Sequence, residues 1–220
     1  TIKPGTSSID ILDQLKNNEK EYIVWIYQNW QQQVEFLHPE IDAMVDQIIL
    51  ATNNATTPFE VLFARVDGMY ALNDAMNAVT IPYAIAYITE IYHLYETLIV
   101  PSELTNLDNL FNQYQQFIEQ AEYYGDIFYY MYDFEWACQN LNLDPLQYHI
   151  YQLVDSLQFE FRMLSHDATD DSIIAMQAIL DQNIPLIQAA TTTNDADAIY
   201  DTALNALFDA YELDPIKREL

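Results

Sequence analysis

Residues 81–99 read IPYAIAYITEIYHLYETLI. Ile81, Ala84, Ile85, Ile88, Ile91, Tyr92, Tyr95, Leu98 and Ile99 recur there at steps of three and four, which gathers them on one face of an α-helix. A second stretch has Ile150, Leu153, Val154, Leu157 and Phe161 in the same register. No segment alternates polar and apolar residues long enough to read as a strand, and 220 residues contain only three glycines. The chain therefore reads as all-α. Glu90, His93 and Glu96 interrupt the apolar run 79–100, so it is a core-facing helix and not a membrane span.

Helix punctuation fixes the remaining elements. Thr57-Pro58-Phe59-Glu60 spells a capping box with proline at the first helical position, and Asp144-Pro145-Leu146-Gln147 repeats that chemistry with Asp as the cap. Thr105 with Asp108, and Asn194 with Asp197, mark further starts; Gly125 and Asn53-Asn54 read as helix ends. The expected helices are 8–17, 19–38, 40–53, 58–79, 82–99, 106–124, 126–141, 145–165, 170–190 and 195–213, with Pro185 kinking or splitting the ninth. Linkers are short and no Pro- or Ser-rich hinge divides the chain. The expectation is one compact domain, 1–220, a bundle of nine or ten helices. Residues 128–136, apolar nearly all round, read as a central helix contacted on several sides. Leu143-Asp144-Pro145 and Leu213-Asp214-Pro215 echo each other, but their flanks do not, and no repeat is read from them.

Charge sets the environment. Apolar residues make up 51% of the chain, as in a globular protein, whereas 34 acids face 7 bases for a net charge of -27. Average usage would supply roughly 27 bases at this length, so the imbalance comes from missing Lys and Arg. That excludes nucleic-acid binding through a basic surface and attachment to a membrane through a polybasic patch. Near pH 2, with carboxylates protonated, such a chain carries only about +12 counting its amino terminus, which removes most of the self-repulsion that drives acid unfolding. An acidic exterior explains the composition best. A gut-lumen protein avoiding trypsin, a decoy for DNA-binding proteins and a binder of basic partners share the same charge count.

The chemistry-bearing residues give little. Glu35 with His38, and Glu90 with His93, are Glu-x-x-His pairs of the kind that ferritin-like di-metal carboxylate enzymes place on two helices. His38 precedes Pro39, which disfavours helical geometry, and Glu90 and His93 fall beside the apolar stripe, so both pairs read as exposed acids with nearby histidines. A metal-dependent enzyme stays as an alternative, alongside the acidic decoy. Asp167, Asp170 and Asp171 suit a helix start better than a cation. His149 and His166 have no Ser or Cys in a catalytic arrangement, and Cys138, behind Trp136 and Ala137, reads as a buried small residue. The sequence thus predicts no catalytic residue, metal or cofactor. It does predict a glycosylation site at Asn54, in the sequon Asn54-Ala55-Thr56 between two helices.

An all-helical chain poor in Lys and Arg, rich in Tyr, Asn, Gln, Thr and Ile, and carrying a sequon, resembles the extracellular and virion proteins of acid hot-spring archaea. In particular it resembles structural proteins of spindle-shaped, two-tailed archaeal viruses. The resemblance is compositional and spans the whole chain. It implies a thermostable, acid-stable structural or host-contact protein, located outside the cell or in the virion, whose partners are other proteins. Thermolabile amides and the acid-cleavable Asp144-Pro145 and Asp214-Pro215 bonds depart from it.

Overall fold

The computed structural model describes residues 8–34, 38–214 and 217. Among them are eight α-helices: α1 Ser8–Gln31, α2 Pro39–Asn54, α3 Pro58–Leu98, α4 Leu104–Glu119, α5 Tyr124–Cys138, α6 Pro145–Ser165, α7 Asp170–Gln188 and α8 Thr193–Ala210. A 3-10 turn, Pro101–Glu103, precedes α4. The all-α class holds, but the count is lower than nine or ten because two predicted breaks do not occur. Asn17 and Asn18 sit exposed inside α1. Pro82 lies inside α3, where it deprives the Ala78 carbonyl of its helical donor; both residues lie on the exposed side of the helix, where the loss costs least. Pro185 is carried in α7 on the same terms, opposite the exposed Asp181.

The two caps predicted ahead of a proline form, whereas Thr105, predicted with Asp108 to start a helix, lies inside α4, which begins at Leu104. Thr57 Oγ1 accepts from the Glu60 N–H (3.2 Å) while Glu60 Oε2 accepts from the Thr57 N–H (3.3 Å) and the Thr56 N–H (2.6 Å). Asp144 Oδ1 accepts from the Leu146 and Gln147 N–H groups at 2.9 and 3.1 Å. Gly125 is not a helix end; it lies in the first turn of α5. The preceding turn is held instead by Asn73 and Asn77 of α3, whose amides donate to the Glu122 carbonyl at 2.7 and 2.9 Å. Similarly α8 is capped by Thr192 with Asp195 and not by Asn194 with Asp197. Nor does α5 turn apolar faces all round. Ile127, Phe128, Met131, Phe134 and Cys138 are buried, whereas Tyr129, Tyr132 and Trp136 are more than half exposed.

Backbone contacts gather the chain into two compact units, Thr1–Tyr92 with Asp108–Gln139, and His93–Leu107 with Asn140–Leu220. Two of the divisions fall within α3 and α4, so no linker marks them. In the first unit the largest buried side chain is Trp30, whose indole N–H donates to Thr80 Oγ1 (3.0 Å). Thr80 in turn donates to the Met76 carbonyl (2.6 Å), so an obligatory polar group is satisfied in the buried interior, where Ile23, Ile41, Leu72 and Met76 are also fully buried. In the second unit α6, α7 and α8 pack on one another around Ile150, Leu157, Met176, Leu180, Ile187 and Leu207.

The Leu-Asp-Pro echo marks a structural repeat. Ile99 and Leu143 form an isolated antiparallel bridge, flanked by Val100 N–H to Asn142 O (3.0 Å) and Asp144 N–H to Leu98 O (2.7 Å). Ala168 and Leu213 form another, flanked by Thr169 N–H to Glu212 O (2.9 Å) and Asp214 N–H to Asp167 O (2.7 Å). Each clamp closes the base of a helical hairpin, α4–α5 or α7–α8. At an offset of roughly 69 residues seven buried positions of one copy fall on buried positions of the other: Ile88 with Leu157, Ile99 with Ala168, Leu107 with Met176, Ile118 with Ile187, Ile127 with Ala196, Phe134 with Ala203 and Cys138 with Leu207. The two apolar stripes read from sequence are the matching first helices of the two copies.

Two substitutions test this packing. A Cβ on Gly68 would lie 2.7 Å from both Cγ1 and Cγ2 of Ile48, branch atoms that a β-branched side chain does not swing away. Gly68→Ala is therefore expected to destabilise by about 1–3 kcal/mol, more than the roughly 1 kcal/mol gained in helix propensity, and Ile48→Ala should suppress part of the loss in a denaturant melt. Thr80→Val strands the buried Trp30 N–H and should cost about 1–3 kcal/mol.

Candidate interaction surface and its carboxylate partners

A packed carboxylate needs a donor, and this chain has few cations to offer. Tyrosine supplies many of the donors. Tyr87 Oη donates to Glu135 Oε2 at 2.5 Å, Tyr92 Oη to Asp108 Oδ1 at 2.7 Å, Tyr114 Oη to Asp133 Oδ2 at 2.5 Å and Tyr211 Oη to Asp167 Oδ1 at 2.9 Å. Amides do the same for Glu103 (from Asn106 and Asn142), Glu119 (from Gln115) and Asp181 (from Gln177). Lys and Arg pair with carboxylates only at Arg65–Glu19 (3.2 Å) and Lys217–Asp170 (2.8 Å) among the described residues.

These partners set the titration of both sides. Burial, then the hydrogen bond to Glu135, holds the Tyr87 phenol well above its ordinary value, and burial with Asp133 does the same for Tyr114. Burial also raises Tyr124 and pushes the Cys138 thiol up to about 12, with Glu135 adding to it. Cys138 is fully buried. Crowding among acids would raise carboxyl pKa values, yet the resolved shifts run the other way: Thr56 lowers Glu60, Asn106 and Asn142 lower Glu103, and Lys217 lowers Asp170. Local donors outweigh distant like charges at these three groups.

The sequence-predicted residues fall as follows. Glu90 and His93 are both exposed on α3, and His93 Nδ1 lies 3.3 Å from Glu96 Oε2. Glu35 is outside the described residues. His38 precedes α2 with its ring 5.5 Å from that of Trp30 and its Nδ1 3.4 Å from Glu40. Among the described residues no three His, Cys, Asp or Glu side chains come together as a metal site. His149 Nε2 meets Asp197 Oδ1 at 2.7 Å. Asp170 and Asp171 occupy the first turn of α7, capped by Thr169. Asn54 is the exposed last residue of α2, and the Thr56 hydroxyl of its sequon donates to Glu60 (2.9 Å). Among the described residues no helix is long and apolar enough to cross a membrane.

What sequence reasoning missed is an aromatic surface on the first unit. Phe59 and Phe63 stack at 6.0 Å on α3 and are 74% and 56% exposed; beside them α2 and α3 enclose a groove floored by Ile48, Ala64 and Gly68. A second groove of about 320 Å³ is walled by Tyr22, Val66, Tyr70 and Tyr123, with Arg65 at its edge. On α5, Asp126, Tyr129, Tyr132 and Trp136 share one exposed face. The spacing of three, three and four was present in the sequence, but the intervening aromatics Phe128, Tyr130 and Phe134 masked it.

No family model, curated protein or solved structure matches the chain.

The pairing of phenols predicts an alkaline limit. Because Tyr87, Tyr114 and Tyr124 have folded values above unfolded ones, their stabilisation is complete below about pH 10 and is lost as pH rises past it. Absorbance titration at 295 nm should show these phenols ionising last, together with unfolding. Tyr114→Phe should remove one of them and lower the melting temperature by about 2–4 °C, equivalent to about 1 kcal/mol.

Proposed function

We propose that this is a non-enzymatic structural or interaction protein of an acid-exposed extracellular assembly, a virion component being the form that its composition resembles. The observation that carries the reading is the use of tyrosine, asparagine and glutamine as carboxylate partners where other proteins use Lys and Arg. A salt bridge loses its charge attraction once acid protonates the carboxyl, whereas a phenol or amide still hydrogen-bonds the neutral carboxyl. Scarce bases also keep the protonated chain from accumulating positive charge. Exposed aromatic side chains on the first unit supply contact area for partner proteins.

Thermal melts from pH 2 to pH 8 test the reading. Relief of the -27 charge should raise the melting temperature as pH falls from 8 to about 5. Glu60, Glu103 and Asp170 act in the opposite sense, since groups with lowered folded values contribute stability above the ordinary carboxyl range and lose it as pH falls through those values. The maximum is therefore expected between about pH 4 and 6, with helical circular dichroism retained at pH 2 and high salt recovering part of the loss at pH 8. Unfolding by pH 3, with a maximum near pH 7, would overturn the acid-exposure reading.

A further inference from the structure

The chain contains a worked example of how it holds an arginine. On α1, Glu19, Tyr22 and Trp25 follow at three-residue steps and share a face, with the two rings stacked at 6.2 Å. Arg65 of α3 lies across it: its guanidinium carbon is 5.5 Å from the centre of the Tyr22 ring and its Nε is 3.2 Å from Glu19 Oε2. The cation lies over the ring, and the carboxylate meets its charge as an ion pair without a hydrogen bond at Nε.

The same spacing of an acid and two aromatic residues occurs on α5, where Asp126, Tyr129 and Tyr132 follow at three-residue steps. Tyr129 and Tyr132 are 62% and 51% exposed. Tyr87 stands edge-on to Tyr132 at 6.2 Å, and Asp133 and Glu135 bring further carboxylates to this helix. No Lys or Arg occurs between Arg65 and Arg162, so α4 and α5 carry none. The second hairpin has no such rings. At the repeat offset, Asp126, Tyr129 and Tyr132 correspond to Asp195, Ala198 and Asp201 of α8, which are also exposed and carry no aromatic ring.

We propose that the Asp126–Tyr129–Tyr132 face of α5 docks an arginine-bearing segment of another protein, its guanidinium planes stacking on the two tyrosines with Asp126 as counter-charge. Arginine fits better than lysine because a planar, weakly hydrated cation stacks while an ammonium keeps its water. A second copy is a poor occupant: it offers seven bases and brings a charge of -27 of its own. The proposal names the partner chemistry of the interaction reading and rests on it, but the two fail separately, since the acid melts do not depend on Tyr129 or Tyr132.

The test titrates the full chain at neutral pH into a labelled octapeptide of alternating arginine and glycine, read by fluorescence anisotropy. Matched peptides with lysine or citrulline replace the arginines. Expected are saturable binding of the arginine peptide, several-fold weaker binding of the lysine peptide, and citrulline binding at least tenfold weaker. Tyr129→Leu with Tyr132→Leu keeps apolar area and helix propensity and should weaken arginine binding by about tenfold, whereas the paired Phe variants should stay within about twofold. Asp126→Asn should weaken binding and flatten its salt dependence. Equal affinity of the Leu variant and the natural chain would overturn the proposal by placing binding elsewhere on the acidic surface. So would sedimentation equilibrium showing a dimer that the Leu variant dissolves, since a second copy would then own the face.

Discussion

A carboxylate that meets another helix must find a hydrogen-bond donor, and here the donor is usually neutral. That constraint runs from composition to architecture. Tyr87, Tyr92 and Tyr114 each bring a ring large enough to pack and a hydroxyl able to reach an acid, so one residue type fills core and satisfies charge. Each of these pairs bridges residues distant in sequence or in neighbouring helices, where a lysine would have added charge without comparable packing. The aromatic richness of the chain and its poverty in bases are two sides of one solution.

Much of this was legible in the sequence and some was not, for identifiable reasons. The helix starts at Pro58 and Pro145 were plain because capping is local: Thr57 with Glu60, and Asp144 with Gln147, form within four residues. The continuity of α3 through Pro82 was not, because it depends on the exposure of Ala78, which only packing decides. The α4–α5 turn was misplaced at Gly125 because its holding contacts come from Asn73 and Asn77, far away in sequence. Phenol–carboxylate pairs have no spacing signature at all. For the α5 face the signature existed, but residues 128–136 are so uniformly apolar that periodicity cannot separate Phe134, fully buried, from Tyr132, half exposed.

The repeat was hidden for a different reason. Buried positions need volume and apolarity, not identity, so Phe134 can correspond to Ala203 and Ile127 to Ala196 when neighbouring side chains compensate. Solvent positions drift freely. What resists drift is backbone geometry, and the two antiparallel clamps keep the same pair of hydrogen bonds in the same order at residues 98–100 with 142–144 and 167–169 with 212–214. Leu143-Asp144 and Leu213-Asp214 are the trace that geometry leaves in sequence.

A chain that contains the same helical hairpin twice also supplies its own comparison. Positions where both copies agree report what the hairpin needs: Ile118 and Ile187, or Cys138 and Leu207, are apolar and fully buried in each. Positions where they disagree while both are exposed mark side chains that the other copy does without. Tyr129 and Tyr132 stand against Ala198 and Asp201, so their ring surface is held in water although α8 forms the same hairpin without it. Exposed aromatic surface carries a hydration cost of roughly 25 cal/mol per Å² and an aggregation hazard. Charge at -27 offsets that hazard by keeping copies apart, and the same field draws cations to the face. On the proposed reading, one distribution of charge would both keep copies apart and select a cationic partner.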